Sequence, residues 1–120
     1  MSYRSYHKGQ EAEGWAVDFL VRQGFKIIER NYHSPFGEID IIAQEGRALV
    51  FVEVRMRNEA DQIHPLETIS RGKQNRLMRT AQMYLAGLKD EYLQCRFDIV
   101  AIIEENGNPK IQLHRHMIER

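Results

Sequence analysis

Two adjacent apolar segments that carry carboxylates place the strongest constraint on how this chain folds. They occupy the stretch Gly37–Arg57, which reads GEIDIIAQEGRALVFVEVRMR. Alternating apolar residues on either side of Glu45-Gly46-Arg47 predict a β-hairpin, because short glycine-containing turns commonly join antiparallel strands. An acid inside such a hairpin needs a partner, a metal ion or a proton, since an isolated charge away from water is very costly.

The alternation of side chains along the two strands predicts which acids face each other. A turn centred just after Gly46 places Asp40 opposite Glu53 and Glu38 opposite Arg55. Directly opposed side chains have Cβ atoms about 5 Å apart, and like charges there are destabilising. A divalent cation between Asp40 and Glu53 would remove that repulsion. Oxygen ligands of this kind suit Mg²⁺ or Mn²⁺, which can activate water and neutralise charge on a phosphodiester.

The same spacing allows a second arrangement that has no function in catalysis. Glu38 would form an ion pair with Arg55, and Glu53 would lie on a solvated face of the hairpin. An exposed pair of that kind contributes less than about 1 kcal/mol to stability. The spacing of the acids does not choose between the two arrangements.

A third acid, Glu13, lies in the first helical segment of the chain, QEAEGWAVDFLVRQG. On a helix of about 100° per residue, Glu13 falls at the border of the apolar face. It is expected either to point along the sheet towards the hairpin acids or to be solvated. The apolar face consists of Ala12, Trp15, Ala16, Phe19 and Leu20.

A second helical segment, from about Leu66 to Gly87, combines an apolar face with a stripe of cations. Residues three apart lie on neighbouring turns, so the cations could contact a phosphate backbone together, or they could simply be solvated. The cations are Lys73, Arg76 and Arg79, and the apolar face consists of Leu77, Met78, Ala81, Leu85 and Leu88.

The remaining segments complete a prediction of the fold. FKIIERNY, RFDIVAII and KIQLHRHMI are typical of strands, so the element order is α-β-β-β-α-β-β. That order predicts an α/β protein in which helices flank a mixed sheet. A length of 120 residues predicts one domain, over residues 1–120.

Composition narrows the classes of function. The chain has 17 basic and 17 acidic residues, so binding to nucleic acid would depend on local clustering of cations. No apolar run approaches the roughly 20 residues that span a bilayer, which predicts a protein without a membrane partner. The polar N-terminus and the single cysteine, Cys95, predict a cytoplasmic location.

The motifs, in this order, resemble those of the uncharacterised bacterial YraN-type family. The resemblance runs from His7 to about Val100 and covers the helix with Glu13, GEID, FVEVR, the helix with Lys73-Gln74, and RFDIV. That family is assigned to the restriction-endonuclease-like fold and is similar to archaeal Holliday junction resolvases. The resemblance implies a metal-dependent endonuclease of the PD-(D/E)XK kind that acts on DNA, including branched or junction DNA.

The resemblance also implies roles for individual residues. Asp40 and Glu53 match the acidic residues that bind Mg²⁺ or Mn²⁺, with help from the backbone carbonyl of Val54. Glu13 matches the glutamate that completes the acidic cluster in resolvases. Lys73 and Gln74 match second-helix positions that face the site, and Arg76 and Arg79 extend the same surface towards nucleic acid. Resolvases act as dimers because a four-way junction needs two paired cuts, so a homodimer is also implied.

One residue, Arg55, departs from the motif, which has lysine at that position. Lysine there positions or deprotonates the attacking water, whereas arginine keeps its proton and can only stabilise negative charge. Either the metal activates water, supported by Lys73, or the protein is a nucleic-acid-binding module that does not cleave. An interaction protein with solvated acids is a third hypothesis.

Overall fold

Two helices and five strands make up the part of the chain described by the computed structural model, residues 3–57, 69–89, 92 and 94–117. Their order, α-β-β-β-α-β-β, confirms the predicted one. The elements are α1 (Tyr3–Arg22), β1 (Lys26–Ser34), β2 (Gly37–Glu45), β3 (Ala48–Arg57), α2 (Arg71–Ala86), β4 (Gln94–Glu105) and β5 (Asn108–His114).

The five strands form one mixed sheet in which spatial order follows chain order, from β1 to β5. β1, β2 and β3 are an antiparallel meander, and β4 and β5 are an antiparallel hairpin. β3 and β4 are parallel, and the connection between them contains α2. A tight turn cannot join parallel neighbours, so a crossover helix is needed there.

The hairpin of β2 and β3 has the register that the sequence predicts. Ile41 is opposite Val52, and Gln44 is opposite Leu49. Gly46 has a φ of 58°, in the left-handed region, where a residue without a Cβ pays no steric penalty. The turn and the hydrophobic alternation together therefore fix which residues of the two strands meet.

The two helices cover opposite faces of the sheet. Ala16 and Leu20 of α1 pack with Val50 and Val52 of β3 in one core. The other core joins Leu77 and Ala81 of α2 to its own set of sheet residues, which includes Leu49, Phe51 and Ile99. Both predicted apolar faces are confirmed, and successive residues of β3 contribute to different cores.

The helices begin at residues other than the predicted ones. α1 extends back to Tyr3 through YRSYHKG, a polar segment without proline that the apolar repeat does not reveal. α2 begins at Arg71 rather than near Leu66, and Leu66 itself lies outside the described residues. Ser70 caps α2, because its backbone is extended and its side chain accepts a hydrogen bond from the Lys73 N–H at 3.1 Å. Neither helix, within the described residues, is long and apolar enough to cross a bilayer.

Candidate functional site

Asp40 lies where β2 separates from β3. The last pair in their ladder is Ile41 with Val52, one position before Asp40. Beyond it, a carboxylate oxygen of Asp40 (Oδ2) accepts a hydrogen bond from the backbone N–H of Val54 at 2.8 Å. The side chain thus takes over a role that a backbone carbonyl plays elsewhere in the ladder, and this fixes the position of the carboxylate.

The alternation of β2 also breaks at Asp40. Ile41 packs in the core beneath α1, yet Ile39, two residues away, packs in the core beneath α2. Across from Asp40 on β1, Asn31 has a φ of 53°, a left-handed conformation that asparagine tolerates better than most residues. Both strands are therefore distorted at the same point.

Asp40 and Glu53, which the sequence predicts to be opposed, interact strongly. The pKa of Asp40 is raised from 3.8 to about 8, chiefly by burial and next by the charge of Glu53. The hydrogen bond from Val54 acts in the other direction, and the charge of Glu13 adds a smaller increase. A carboxyl group with this pKa is mostly protonated at neutral pH unless a cation compensates its charge.

Glu53 is buried and paired with a cation, so it does not lie on a solvated face. Its side chain is only 7% exposed, and it shares its side of β3 with the core beneath α2. The Lys73 ammonium lies 2.7 Å from Glu53 Oε1, and a guanidinium nitrogen of Arg55 lies 3.7 Å from the same oxygen. Lys73 lies in the first turn of α2, which Ser70 caps.

Glu13 points into the protein at the border of the α1 face. Its side chain is 15% exposed, and its Oε1 has no hydrogen-bond partner although it lies 3.7 Å from a guanidinium nitrogen of Arg30. Burial raises the pKa of Glu13, while the charge of Arg30 and a hydrogen bond from the Asn31 side chain lower it. The Glu38 charge raises it again, so Glu13 is electrostatically part of the same acidic group.

Glu38 lies at the outer edge of this group. Its carboxylate is 3.7 Å from the His33 imidazole on the neighbouring strand, and both side chains are well exposed. The alternative arrangement requires Glu53 to be solvated. Because Glu53 is buried, that part of the alternative is wrong.

The predicted cationic stripe of α2 divides into residues with different surroundings. Lys73 turns inward to Glu53, while Arg76 and Arg79 are exposed. The Gln74 amide donates a hydrogen bond to the Ile69 carbonyl at 3.0 Å, which fixes the approach of the chain to α2. Nucleic-acid binding by these four residues stays a prediction.

Three residues near the site were not identified from the sequence. Arg30 and Asn31 of β1 surround Glu13, and Phe36 in the β1–β2 turn lies under Arg79. The only sequence signal for the first two is a polar pair within a strand, which is common at a solvated edge. Phe36 follows a proline in a turn, and an exposed aromatic there gives no indication of its partner.

The donor set fits a hard divalent cation, although the described side chains do not form a closed site. Asp40 and Glu53 supply carboxylate oxygens, and the orphaned Oε1 of Glu13 is a further acceptor without a donor. Within the described ranges, no three acidic, histidine or cysteine side chains converge closely enough to hold a metal ion by themselves. Mg²⁺ usually keeps several waters and binds through one or two carboxylates plus substrate phosphates, so an open site of this kind suits it.

A second ionic cluster lies on the opposite face of the sheet, beneath α1. Arg96 binds Asp98 (Nε to Oδ1, 3.0 Å) and Glu45, and Arg115 binds Glu45 at 2.9 Å. The Asp98 carboxylate also accepts the backbone N–H of His116. The cluster joins the hairpin to β4 and to the segment after β5, which is a structural role.

Comparison with protein families identifies the one to which the chain is similar. A family model described as "Uncharacterised protein family UPF0102" matches residues 12–102. The chain belongs to the UPF0102 family. This confirms the YraN-type resemblance, and the matched range contains Glu13, Asp40, Glu53 and Lys73.

Individual UPF0102 proteins match most of the chain. One from Dictyoglomus thermophilum is 44% identical over 95 residues, which cover 79% of this chain and 80% of that protein. One from Chlorobium phaeobacteroides is 42% identical over 103 residues, or 86% and 82% of the two chains. One from Prosthecochloris aestuarii is 44% identical over 119 residues, or 99% and 93%. The names of these UPF0102 proteins state no activity.

Proposed function

We propose that this UPF0102 protein is a divalent-cation-dependent endonuclease that acts on DNA, including branched or junction DNA. The observation that carries the proposal is the pairing of Asp40 with Glu53. Two carboxylates held together and away from water cost free energy unless a proton or a cation compensates them. The restriction-endonuclease-like fold that the sequence resembles places paired acids at its metal site, and the observed element order is compatible with that fold.

Asp40 and Glu53 would hold Mg²⁺ or Mn²⁺, together with the Val54 carbonyl, and Glu13 would contribute a further oxygen. When bound, the cation supplies activation of water and neutralisation of charge on the phosphodiester. The hydrogen bond from Val54 to Asp40 orients the first of these carboxylates. The Arg30 guanidinium and the Asn31 side chain orient Glu13.

Lys73 and Arg55 are the cations that would act on the reacting phosphate. Both contact Glu53, and the Lys73 ammonium is the nearer of the two. Ammonium hydrogens can orient the attacking water, and a guanidinium can stabilise the negative charge that develops in phosphoryl transfer. The lysine would thus be supplied by α2, because the position on β3 where the motif has lysine carries Arg55.

A second candidate function is binding of nucleic acid without cleavage. The specific observation in its favour is Arg55, which stands where the motif has lysine. The exposed Arg76 and Arg79 would still contact phosphates in such a module.

For the endonuclease, a homodimer is part of the proposal because a four-way junction needs two cuts. A cytoplasmic location fits a chain with a single cysteine.

The test is cleavage of labelled single-stranded, duplex and four-way-junction DNA in Mg²⁺ and in Mn²⁺. Wild type would be compared with Asp40→Asn, which keeps an oxygen for the Val54 hydrogen bond but loses the charge, and with Arg55→Lys. The proposal predicts cation-dependent cleavage by wild type and none by Asp40→Asn. If wild type and Arg55→Lys bind DNA but leave every substrate intact, the protein is a binding module.

A further inference from the structure

Phe36 is an exposed aromatic residue in a turn that is hydrogen-bonded to itself and to α2. Its side chain is 38% exposed, at the tip of the connection between β1 and β2. The Ser34 hydroxyl accepts the backbone N–H of Phe36 at 3.0 Å and lies 2.9 Å from the Thr80 hydroxyl. The turn is therefore tied both to itself and to α2.

The contact between this turn and α2 is close. Thr80 is fully buried and donates its hydroxyl to the Arg76 carbonyl at 2.8 Å. Gly37 follows the turn as the first residue of β2. A Cβ built on it would lie 3.6 Å from the Arg76 Cβ, so the backbone at this point packs close to α2. Exposed loop side chains usually lose conformational entropy when they bind a ligand, and a fixed turn reduces that cost.

Phe36 is paired with a cation. The guanidinium carbon of Arg79 lies 5.3 Å from the centroid of the Phe36 ring, and the Arg79 side chain is exposed. Arg76 is exposed one turn earlier on the same helix. An exposed aromatic ring beside cations is the combination that binds unpaired nucleobases, because the ring stacks on a base and the cations contact the adjoining phosphates.

The distance between this pair and the acidic group determines how many nucleotides of a bound strand lie between them. Lys73, which contacts Glu53, and Arg79 are six positions apart on α2. At 1.5 Å per residue they are about 9 Å apart along the helix axis. One strand of B-DNA advances about 3.4 Å along the helix axis per nucleotide, and an unstacked strand advances further, so that distance corresponds to at most about three nucleotides.

We propose that Phe36 and Arg79 form a stacking platform for an unpaired base of DNA, within about three nucleotides of the phosphate at the acidic site. The spacing rests on the proposed function, whereas the platform itself rests on the exposed ring, the fixed turn and the neighbouring cations. The preferred substrate would then contain a single-stranded stretch, as at a flap, a tail or an open branch point, rather than continuous duplex.

The test is binding of a fluorescein-labelled oligothymidylate and of a blunt duplex, measured by anisotropy in EDTA so that no cleavage occurs. The variants are Phe36→Ala, Phe36→Leu, Phe36→Trp and Arg79→Gln. Ile28→Ala is the matched control, because Ile28 on β1 is 37% exposed and lies outside the platform.

Phe36→Ala and Phe36→Leu should each weaken oligothymidylate binding about tenfold, since loss of one stacked base costs on that order, and leave duplex binding unchanged. Phe36→Trp should retain affinity, and the emission that it adds to that of Trp15 should be quenched by the oligonucleotide. Arg79→Gln should weaken binding and make it less dependent on salt. Ile28→Ala should match wild type. The platform is overturned if Phe36→Leu binds like wild type, or if every Phe36 variant loses affinity for both DNAs equally.

Failure of the platform and failure of the endonuclease give different results. Selective oligothymidylate binding that depends on Phe36, in a protein that cuts no DNA, supports the platform and overturns the endonuclease. Cation-dependent cleavage that is unaffected by Phe36→Ala on tailed and blunt substrates alike overturns the platform and leaves the endonuclease standing.

Discussion

The Lys73 ammonium on α2 lies 2.7 Å from the carboxylate of Glu53 on β3, while Arg55, only two residues from Glu53, lies 3.7 Å from the same oxygen. The nearer of these two cations therefore comes from a helix, 20 residues further along the chain than the acid. Under the proposed function, arginine at position 55 would be compatible with catalysis because α2 would supply the lysine.

Replacement of Lys73 should impair cleavage more than replacement of Arg55. Lys73→Met should lower kcat by about 10²–10³, which is typical for loss of one donor at a developing charge. Arg55→Met should have a smaller effect, and Lys73→Arg should retain part of the activity. The measurement is single-turnover cleavage, with thermal unfolding of each variant as the control for folding. Equal losses in the two methionine variants would contradict the assignment of the nearer cation.

Asp40 should make the stability of the cation-free protein depend on pH. Its pKa is raised from 3.8 to about 8, so the folded state binds a proton more tightly than the unfolded state. The contribution of this group to the free energy of unfolding should then be largest below about pH 4. It should decrease as pH rises towards about 8. Urea unfolding in EDTA across this range should show the decline in wild type, and a much weaker one in Asp40→Asn. Identical pH profiles would show that Asp40 ionises normally.

Glu13 should favour cation binding at a cost to stability. Its Oε1 is buried without a hydrogen-bond partner, and burial raises its pKa. Glu13→Gln should therefore leave the free energy of unfolding in EDTA unchanged or raise it by about 1 kcal/mol. The same change should weaken Mn²⁺ binding by about tenfold or more, measured by calorimetry, as for groups that support a metal site. A destabilised variant with unchanged Mn²⁺ affinity would assign Glu13 to packing alone.

The ionic cluster beneath α1 should matter for folding and not for catalysis. Asp98 and Arg96 are both buried, so Asp98→Ala leaves a buried guanidinium with less compensation. The free energy of unfolding should fall by about 3 kcal/mol in urea titrations. Glu105→Ala, an exposed acid on the same strand, should change it by less than about 0.5 kcal/mol. A loss of similar size in both variants would show that the cluster has no special role.

The register of the acids could be predicted from the sequence because two local features determine it. Side chains alternate with a period of two along a strand, and the turn around Gly46 fixes which residues of β2 and β3 are opposed. The prediction that Asp40 faces Glu53 follows from these features alone, although the alternation of β2 breaks at Asp40. The ladder itself ends at Ile41, which the pattern does not reveal, because Asp40 replaces a backbone acceptor with its own carboxylate.

The contacts that complete the site could not be predicted because they depend on how distant elements pack. Lys73 reaches Glu53 only because Ser70 sets the start of α2 and the apolar face around Leu77 sets its rotation. Likewise, Phe36 lies under Arg79 because Ser34 binds the buried Thr80 hydroxyl. Each of these contacts joins residues that are far apart in sequence, where neither periodicity nor spacing carries information.

Binding of Mn²⁺, followed by electron paramagnetic resonance above about pH 8, tests the central claim most directly. It reports on the paired carboxylates without requiring the right DNA substrate. Wild type should bind Mn²⁺, Mg²⁺ should compete for it, and Asp40→Asn should lose the binding while remaining folded. If wild type binds no Mn²⁺, or if Asp40→Asn binds it as tightly as wild type, Asp40 and Glu53 are not a cation site and the proposed endonuclease is wrong.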